Sequence, residues 1–343
     1  MPVKKKRTTI TDIATHFGIS ITAVSFILNN KAKAKGISDA LSKKVLKFAG
    51  EVNYRPNALA KSFRTGKTNI IGLLIEDISN PFFATVARLI EERAYERGYR
   101  IIYCSTNNDT KKTKELIRMF HDQYVDGYII APPEGIETSI RQLSSDGKPV
   151  VVFDRYNSRF QTDQVIINNY ESVLQAMQHL IDNGYRHIGF VTIESKQSQM
   201  TERYRAYQDI IAANGMKEYV LQLPFAASDH VSITAGIKHF CEEHPVLDAL
   251  FFCNNYLGVY GLEAIKSLDS RSVSQFGIIS FDDHDLFRLY SPTITVIDQP
   301  IEEMTGRILD LLFRRIQEGD SQSPSVETLK TQLVVRESSG PKK

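Results

Sequence analysis

Few residues in this 343-residue chain have types and spacing that suit chemistry, and most of the candidates fail as catalytic sets. Thr65-Gly66-Lys67-Thr68 has the ending of a phosphate-cradling loop, but that pattern needs an earlier glycine at position 61, where Lys61 stands. His239 and His244 are five apart, off the i, i+4 spacing that puts two imidazoles on one helical face for zinc, and they read as surface residues. Asp282-Asp283-His284-Asp285 offers several metal-ligating atoms, yet a loop presenting Asp282 to a ligand explains it with fewer assumptions. G-x-G-x-x-G, G-x-S-x-G and H-E-x-x-H are all missing, so no nucleophile–base set is indicated. The expectation is a binding protein without cofactor or metal, not an enzyme. Ser20, Ile21, Thr22, Ala23, Ser25, Phe26 and Asn29 lie in a short helical pattern whose Val24, Ile27 and Leu28 recur at i, i+3, i+4 and turn inward. The hydroxyls, amide and apolar groups left outside suit phosphate oxygens and base edges.

The charge distribution points the same way. Residues 1–67 carry 14 Lys and Arg against three acids (Asp12, Asp39 and Glu51), a net +11. The remaining residues carry 28 against 37, a net −9, which hides the asymmetry in an overall +2. A basic module that releases counterions from phosphates is the footprint of nucleic-acid binding, and the acidic remainder needs another task. A solvated Lys-rich tail is the alternative; the helical apolar pattern inside the segment speaks against it. A hydrophobic fraction of 42% and a charged fraction of 24% exclude wholesale disorder and collagen-like chains. Cys104, Cys241 and Cys253 are odd in number and widely spaced, which fits a reducing compartment better than a disulfide framework. No apolar run approaches the roughly 18 residues that span a bilayer. The basic N-terminus lacks the apolar stretch of a secretory signal, so a cytoplasmic, nucleoid-associated location and no membrane partner are expected.

The elements that must hold these residues follow from periodicity. Thr9 to Asp12 forms a capping box that opens a helix with Ile13, Ala14 and Phe17 on one face, and Gly18 ends it. Ser20 caps the second helix, and Ser38 caps a third with Leu41, Val45, Leu46 and Ala49 inward. Two short helices around a glycine-containing turn make a helix-turn-helix. From Asn69 onward the texture changes to buried-strand runs at 70–75, 101–104, 128–131, 150–153, 165–167, 188–193, 250–253 and 278–281, with a last one at 332–335. Helical patterns such as 81–97 and 172–183 lie between most of them. This alternation predicts parallel α/β sheets covered on both faces, and some 270 residues fit two doubly wound halves better than one sheet.

Several motifs stand in a fixed order: Thr11-Asp12-Ile13-Ala14, Gly18-Ile19-Ser20, Val24-Ser25 with Asn29, and Asn53-Tyr54-Arg55-Pro56-Asn57 running to Ala60. They are followed by Asn80-Pro81-Phe82-Phe83, Val125-Asp126-Gly127, Phe153-Asp154-Arg155, His179 with Gly184-Tyr185-Arg186-His187, Ser280-Phe281-Asp282, and Gln299-Pro300. In this order they resemble the LacI/GalR family of bacterial transcription regulators over nearly the whole chain. The resemblance implies a small all-α helix-turn-helix headpiece at 1–56 and a hinge helix and linker at 57–68. It also implies an α/β core of two parallel-sheet subdomains, similar to type I periplasmic binding proteins. The core subdomains are expected at 69–165 plus 299–323 and at 166–298 plus 324–340, with crossovers near 165–168, 295–299 and 323–328. It further implies a homodimer on a pseudo-palindromic double-stranded DNA operator, and a small-molecule effector in the inter-subdomain cleft. A repressor is the expected function.

The same resemblance nominates Thr9, Ser20, Ile21, Thr22, Ala23, Ser25, Phe26, Asn29, Tyr54, Asn57, Ala60 and Phe63 for DNA. Where Phe26 stands, the family commonly has Arg or another hydrogen-bonding residue; Phe26 either contacts thymine methyls or packs on Phe17 or the third helix. Phe63 matches the family's minor-groove wedge, or else packs the hinge pair. The loop 31–37 is longer than is usual and either adds phosphate contacts or is solvated. For the effector the nominations are Asn80, Phe82, Phe83, Asp154, Arg203, Asn255, Tyr256 and Asp282. Arg and carboxylates bond hydroxyls, and an aromatic face covers a sugar ring, so a sugar or sugar derivative is the leading effector. A nucleobase or nucleoside stacked on Phe82, Phe83 and Tyr256 is the runner-up, and a solute-binding receptor without DNA function is the remaining alternative. Tyr256 stands where the family commonly has Asp. For Asp154 and Asp282, the plain alternative is a helix cap or an inter-helix ion pair.

Overall fold

The computed structural model describes residues 8–54, 66–224, 229–268, 272–319 and 323–342. The chain divides into two compact units, 1–68 and 69–343. In the first, α1 (Ile10–Phe17), α2 (Ile21–Leu28) and α3 (Asp39–Glu51) enclose Ile13, Ala14, Val24, Ile27, Val45 and Ala49. Each start is capped as its sequence predicts. The Asp12 N–H donates to Thr9 Oγ1 at 3.2 Å and the Thr9 N–H to Asp12 Oδ2 at 2.7 Å, completing the capping box. Ser20 and Ser38 hydroxyls accept from the Ala23 and Leu41 N–H groups. Gly18 ends α1 at φ 63°, and α2 leaves at 108° to α1, within the range of a helix-turn-helix. One inward assignment fails: Leu46 is 44% exposed, because Val45 and Ala49 on consecutive turns define the buried stripe and Leu46 lies a helical step off it.

The loop after α2 is ordered. Asn30 takes a left-handed turn (φ 56°), and the Lys31 N–H donates to Phe26 C=O at 2.8 Å. A single turn at Lys33–Lys35 then closes on Gly36 (φ 68°), and the Ile37 N–H returns to Ala32 C=O at 3.0 Å. Ala32 and Ile37 pack on the headpiece core, while Lys31, Lys33 and Lys35 stay exposed. The hinge expectations at Asn57, Ala60 and Phe63 lie outside the described residues.

The second unit carries two six-stranded sheets. The first has the order β11-β5-β4-β3-β1-β2 and uses β1 (Ile70–Ile75), β2 (Arg100–Ser105), β3 (Gly127–Ile130), β4 (Val150–Phe153), β5 (Asp163–Ile167) and β11 (Val326–Leu329). The second has the order β12-β10-β9-β8-β6-β7 and uses β6 (Ile188–Ile193), β7 (Tyr219–Leu223), β8 (Ala249–Phe252), β9 (Gly277–Phe281), β10 (Thr295–Asp298) and β12 (Gln332–Val334). The strand orders are the same when counted along each half, and the halves differ only in the direction of the sixth strand. All pairings are parallel except β10 with β12.

Two expected boundaries move. β5 runs to Ile167 and β11 pairs with it over 326–329, so 166–167 and 324–329 belong with the first sheet, not the second. The last crossover is 330–331, where Thr331 N–H donates to Asn168 Oδ1 at 2.9 Å. The strands that periodicity did not reveal, β7, β10 and β11, include two at sheet edges, β7 and β11, where mixed burial breaks up the apolar run. The helices that carry cleft residues are α4 (Pro81–Glu96), α8 (Ser198–Ala213) and α10 (Asn255–Lys266). α10 lies close on its sheet because Gly258 and Gly261 face it. A Cβ on Gly258 would meet Ser280 Oγ at 2.6 Å, and one on Gly261 would overlap the Phe252 ring.

Candidate functional site

In the headpiece, α2 presents Ile21 (47% exposed), Thr22 and Asn29 outward, with Ala23, Ser25 and Phe26 half-buried. Three nominated polar groups already have local bonds, the Ser20 hydroxyl through its cap on α2. Asn29 Nδ2 donates to Ser25 C=O at 2.7 Å, and the Thr9 hydroxyl is held by Asp12. Tyr54 packs on the headpiece core, where burial raises the pKa of its phenol. Phe17 pairs edge-on with Phe48, and Phe26 is not part of that cluster. Instead the Lys35 ammonium sits 5.5 Å from the Phe26 ring centroid.

In the core, the nominated effector residues converge on the cleft between the two sheets. Asn80 caps α4, its Oδ1 accepting from the Phe82 N–H at 3.0 Å and from Asn255 Nδ2 at 3.4 Å, so one amide links loops of both subdomains. Asp154 follows β4 at φ 71° and Asp282 follows β9 at φ 67°. Neither caps a helix: His284 is the cap of the short helix α11 (Asp285–Leu289). Their N–H groups donate to the neighbouring strands at Val165 C=O (3.0 Å) and Ile297 C=O (2.9 Å), which turns both carboxylates into the cleft.

Arg203, from α8, is the cation between them. It is 2% exposed, and its guanidinium stacks 3.4 Å from the Phe281 centroid. Nε donates to Asn169 Oδ1 at 2.8 Å and NH1 to Cys253 C=O at 2.6 Å. Burial lowers its pKa, opposed by Asp282 and Asp154. Burial raises the Asp154 pKa against Arg155 and Arg203, and pushes Asp282 up to about 6 against Arg203 and Gln299. The Cys253 thiol, buried beside Arg203, is raised to about 12 and is inert.

The structure adds residues that sequence reasoning passed over. Arg155 pairs with Glu76 and with Asp154 (3.3 Å), and donates to Asn108 Oδ1 and Pro132 C=O. Gln299 Nε2 donates to Asp282 Oδ1 at 2.6 Å. Gln199 and Gln299 are 6% and 5% exposed, and their Oε1 atoms accept no hydrogen bond. Arg155 and Gln299 lay inside quoted motifs without a role; Glu76 and Gln199 carried no sequence signal. The residues of Asp283-His284-Asp285 are engaged elsewhere, Asp283 with Arg336 at 2.7 Å and Asp285 with Arg288. Among the described residues no cluster suits a metal ion.

The inner cavity, lined by Asn80, Phe82, Phe83, Asp154, Arg203, Tyr256 and Asp282 among others, holds about 50 Å³. Outward it shares Glu76, Asn80 and Tyr256 with a cleft mouth of about 630 Å³, where Tyr260 stands 6.5 Å from Tyr256. Phe82 and Phe83 line the inner cavity and are only 7% and 4% exposed. Tyr256 and Tyr260 are the aromatic residues that line the mouth.

Comparison with known proteins agrees with this architecture. Residues 9–57 match the description "Bacterial regulatory proteins, lacI family", and residues 177–339 match a periplasmic binding protein-like domain. The HTH-type transcriptional repressor PurR of Aliivibrio fischeri (strain ATCC 700601 / ES114) is 30% identical over 334 residues, spanning 96% of this chain and 98% of that protein. A LacI family transcriptional regulator from Enterococcus faecium, solved with bound ribose, is 25% identical with TM-score 0.69, covering 80% of this chain and all of that one. The lac repressor dimer bound to operator and the anti-inducer ONPF shares the fold at TM-score 0.82 and 18% identity, covering 98% of this chain and 100% of that one. With its capped helix-turn-helix, its duplicated sheets and this full-length likeness, the chain belongs to the LacI family of DNA-binding transcription regulators.

Proposed function

We propose that this regulator is a repressor that binds a pseudo-palindromic operator as a homodimer in the cytoplasm, with a neutral polyhydroxylated effector, a sugar or sugar derivative, in the inter-subdomain cleft. The observation that carries the effector reading is the imbalance of acceptors over donors. Glu76, Asp154 and Asp282 supply carboxylates, and Gln199 and Gln299 each leave a buried oxygen without a donor, against one buried donor in the cleft, Arg155 Nε, without a hydrogen bond. Buried acceptors without donors cost stability, and a ligand rich in O–H groups relieves that cost. Sugar hydroxyls fit; a phosphorylated or carboxylated ligand meets like charge. Asn80, Asp154, Arg203, Asn255 and Asp282 are the polar contacts in this reading. Phe82 and Phe83 form the cleft's apolar floor, and Tyr256 covers the ring.

An inner cavity of about 50 Å³ is far smaller than the roughly 300–1,000 Å³ of ligand pockets, so entry of a ring requires the subdomains to part. The effector then works by population shift, favouring one subdomain arrangement and with it one hinge state. A nucleoside is the second reading, favoured by Tyr256 and Tyr260 at the mouth.

Calorimetry with neutral mono- and disaccharides beside nucleobases and nucleosides tests the choice. A neutral sugar should bind, and Gln199→Met should weaken it about five- to tenfold by removing one acceptor. Binding of a nucleobase or nucleoside alone would sink the sugar reading.

A further inference from the structure

We infer that Lys35, which lies outside the reader helix, is the cation that reads a base in each operator half-site, held there by Phe26. This rests on the operator reading above. Phe26 stands on the outward side of α2 and has no hydrogen-bonding atom, so it cannot distinguish guanine from adenine by itself. The Lys35 ammonium lies 5.5 Å from its ring centroid, within cation–π range. Phe26 is half-buried without joining the headpiece core, and the side chain of Lys35 reaches over its ring.

That loop is anchored at both ends. Lys31 N–H bonds to the Phe26 carbonyl itself, and Ala32 and Ile37 pack on the headpiece core. The backbone of Lys35 is therefore fixed relative to α2, and the ring restrains its side chain. A lysine restrained this way loses less rotamer entropy on binding than a solvated one. Phe26 and Lys35 together offer what one arginine would: an apolar surface for a thymine methyl and an adjacent N–H donor for guanine O6 and N7. Lys33, exposed on the same turn, is left for phosphate.

The test uses the full-length chain and a pool of randomised duplexes, with bound DNA sequenced at two salt concentrations for wild type, Lys35→Met, Phe26→Ala and Lys33→Met. Lys35→Met should relax one G·C position per half-site, losing roughly tenfold to a hundredfold of discrimination there while the rest of the motif persists. Phe26→Ala should relax the same position and its neighbour. Lys33→Met should keep the motif and make the salt dependence shallower. If Lys35→Met keeps the wild-type motif intact and weakens all sequences equally, Lys35 is a phosphate contact and the inference falls alone. A wild-type chain that selects no motif overturns the operator reading, and this inference with it. Lys35 is exposed, and circular dichroism of each variant separates a reading defect from a folding defect.

Discussion

The two core subdomains share one strand order but anchor their fifth strands with different chemistry. In the first, β5 begins at Asp163, whose buried carboxylate accepts from Arg315 Nε (2.8 Å) and NH2 (3.1 Å) and from the Ser325 N–H and hydroxyl (2.8 and 2.9 Å). In the second, β10 begins at Thr295. Its N–H donates to Ser338 Oγ (2.8 Å), and its hydroxyl meets Ser339 Oγ (2.6 Å) and accepts from the Arg336 N–H (2.8 Å). Each clamp fastens a returning piece of the C-terminal segment to its sheet, one through charge and the other through neutral hydroxyls. The site carboxylates differ as well. Asp154 has Arg155 beside it, whereas the next residue after Asp282 is another acid, Asp283, which Arg336 holds. A duplicated fold thus fixes where a polar group must sit and leaves its charge free to differ, so the halves should respond differently to pH and to substitution.

The charged clamp should give the largest effect. Asp163→Asn leaves Arg315 buried without its counter-charge and should cost about 3–5 kcal/mol, read by urea unfolding and by faster hydrogen exchange in β4 and β5. A loss under about 1 kcal/mol would remove the distinction between the clamps. Burial works to raise the Asp163 pKa, but the bonds from Arg315 and Ser325 outweigh it and hold it low. Its stabilising contribution is therefore present above the unfolded carboxylate range and lost as pH falls through the folded value.

The second subdomain's Asp282 should act in the opposite sense. Its folded pKa of about 6 lies above an unfolded value near 3.9, so the folded state binds the extra proton between them. Stability should decline as pH rises from about 4 to 6 and level off above that. Asp282→Asn keeps an oxygen for Gln299 and suits the left-handed backbone, so it should abolish the decline and stabilise the protein at pH 8 by about 2 kcal/mol. That figure is reduced from the full shift because the carboxylate faces the cleft. A variant whose stability follows the wild-type pH curve would show that Asp282 is ionised throughout.

The neutral clamp should give the smallest change. Thr295→Val is expected to cost about 1 kcal/mol with no new pH dependence, measured by urea unfolding across pH 4–8. A cost as large as that of Asp163→Asn would make the clamps equivalent despite their chemistry.

Much of this was legible in the sequence where the signal is local. Caps at Thr9, Ser20 and Ser38 follow from side-chain oxygens three residues before an N–H that needs an acceptor, and all three form. Central strands showed as uninterrupted Val and Ile runs because both of their faces are covered. Val326–Leu329 escaped because an edge strand that keeps only its last residue buried has no run to see, and with it went the position of the last crossover. In the cleft, Asp154 and Asp282 were legible through the family motifs Phe153-Asp154-Arg155 and Ser280-Phe281-Asp282. Glu76 was not, since its significance comes from Arg155, 79 residues away. Phe26 marks the same boundary: its helix position was readable, but the lysine across its ring depends on the path of a loop.

Because the last crossover lies at 330–331, β11 and β12 are separated by two residues yet finish different sheets. On a ribosome this places both halves on one clock. The first sheet has five strands once residue 167 has emerged, the second has five after residue 298, and each acquires its sixth only within residues 326–334. At roughly 5–20 residues per second, the first half waits about 10–30 s with an unfinished edge. The two halves therefore mature within a second or two of each other, although one is synthesised well before the other.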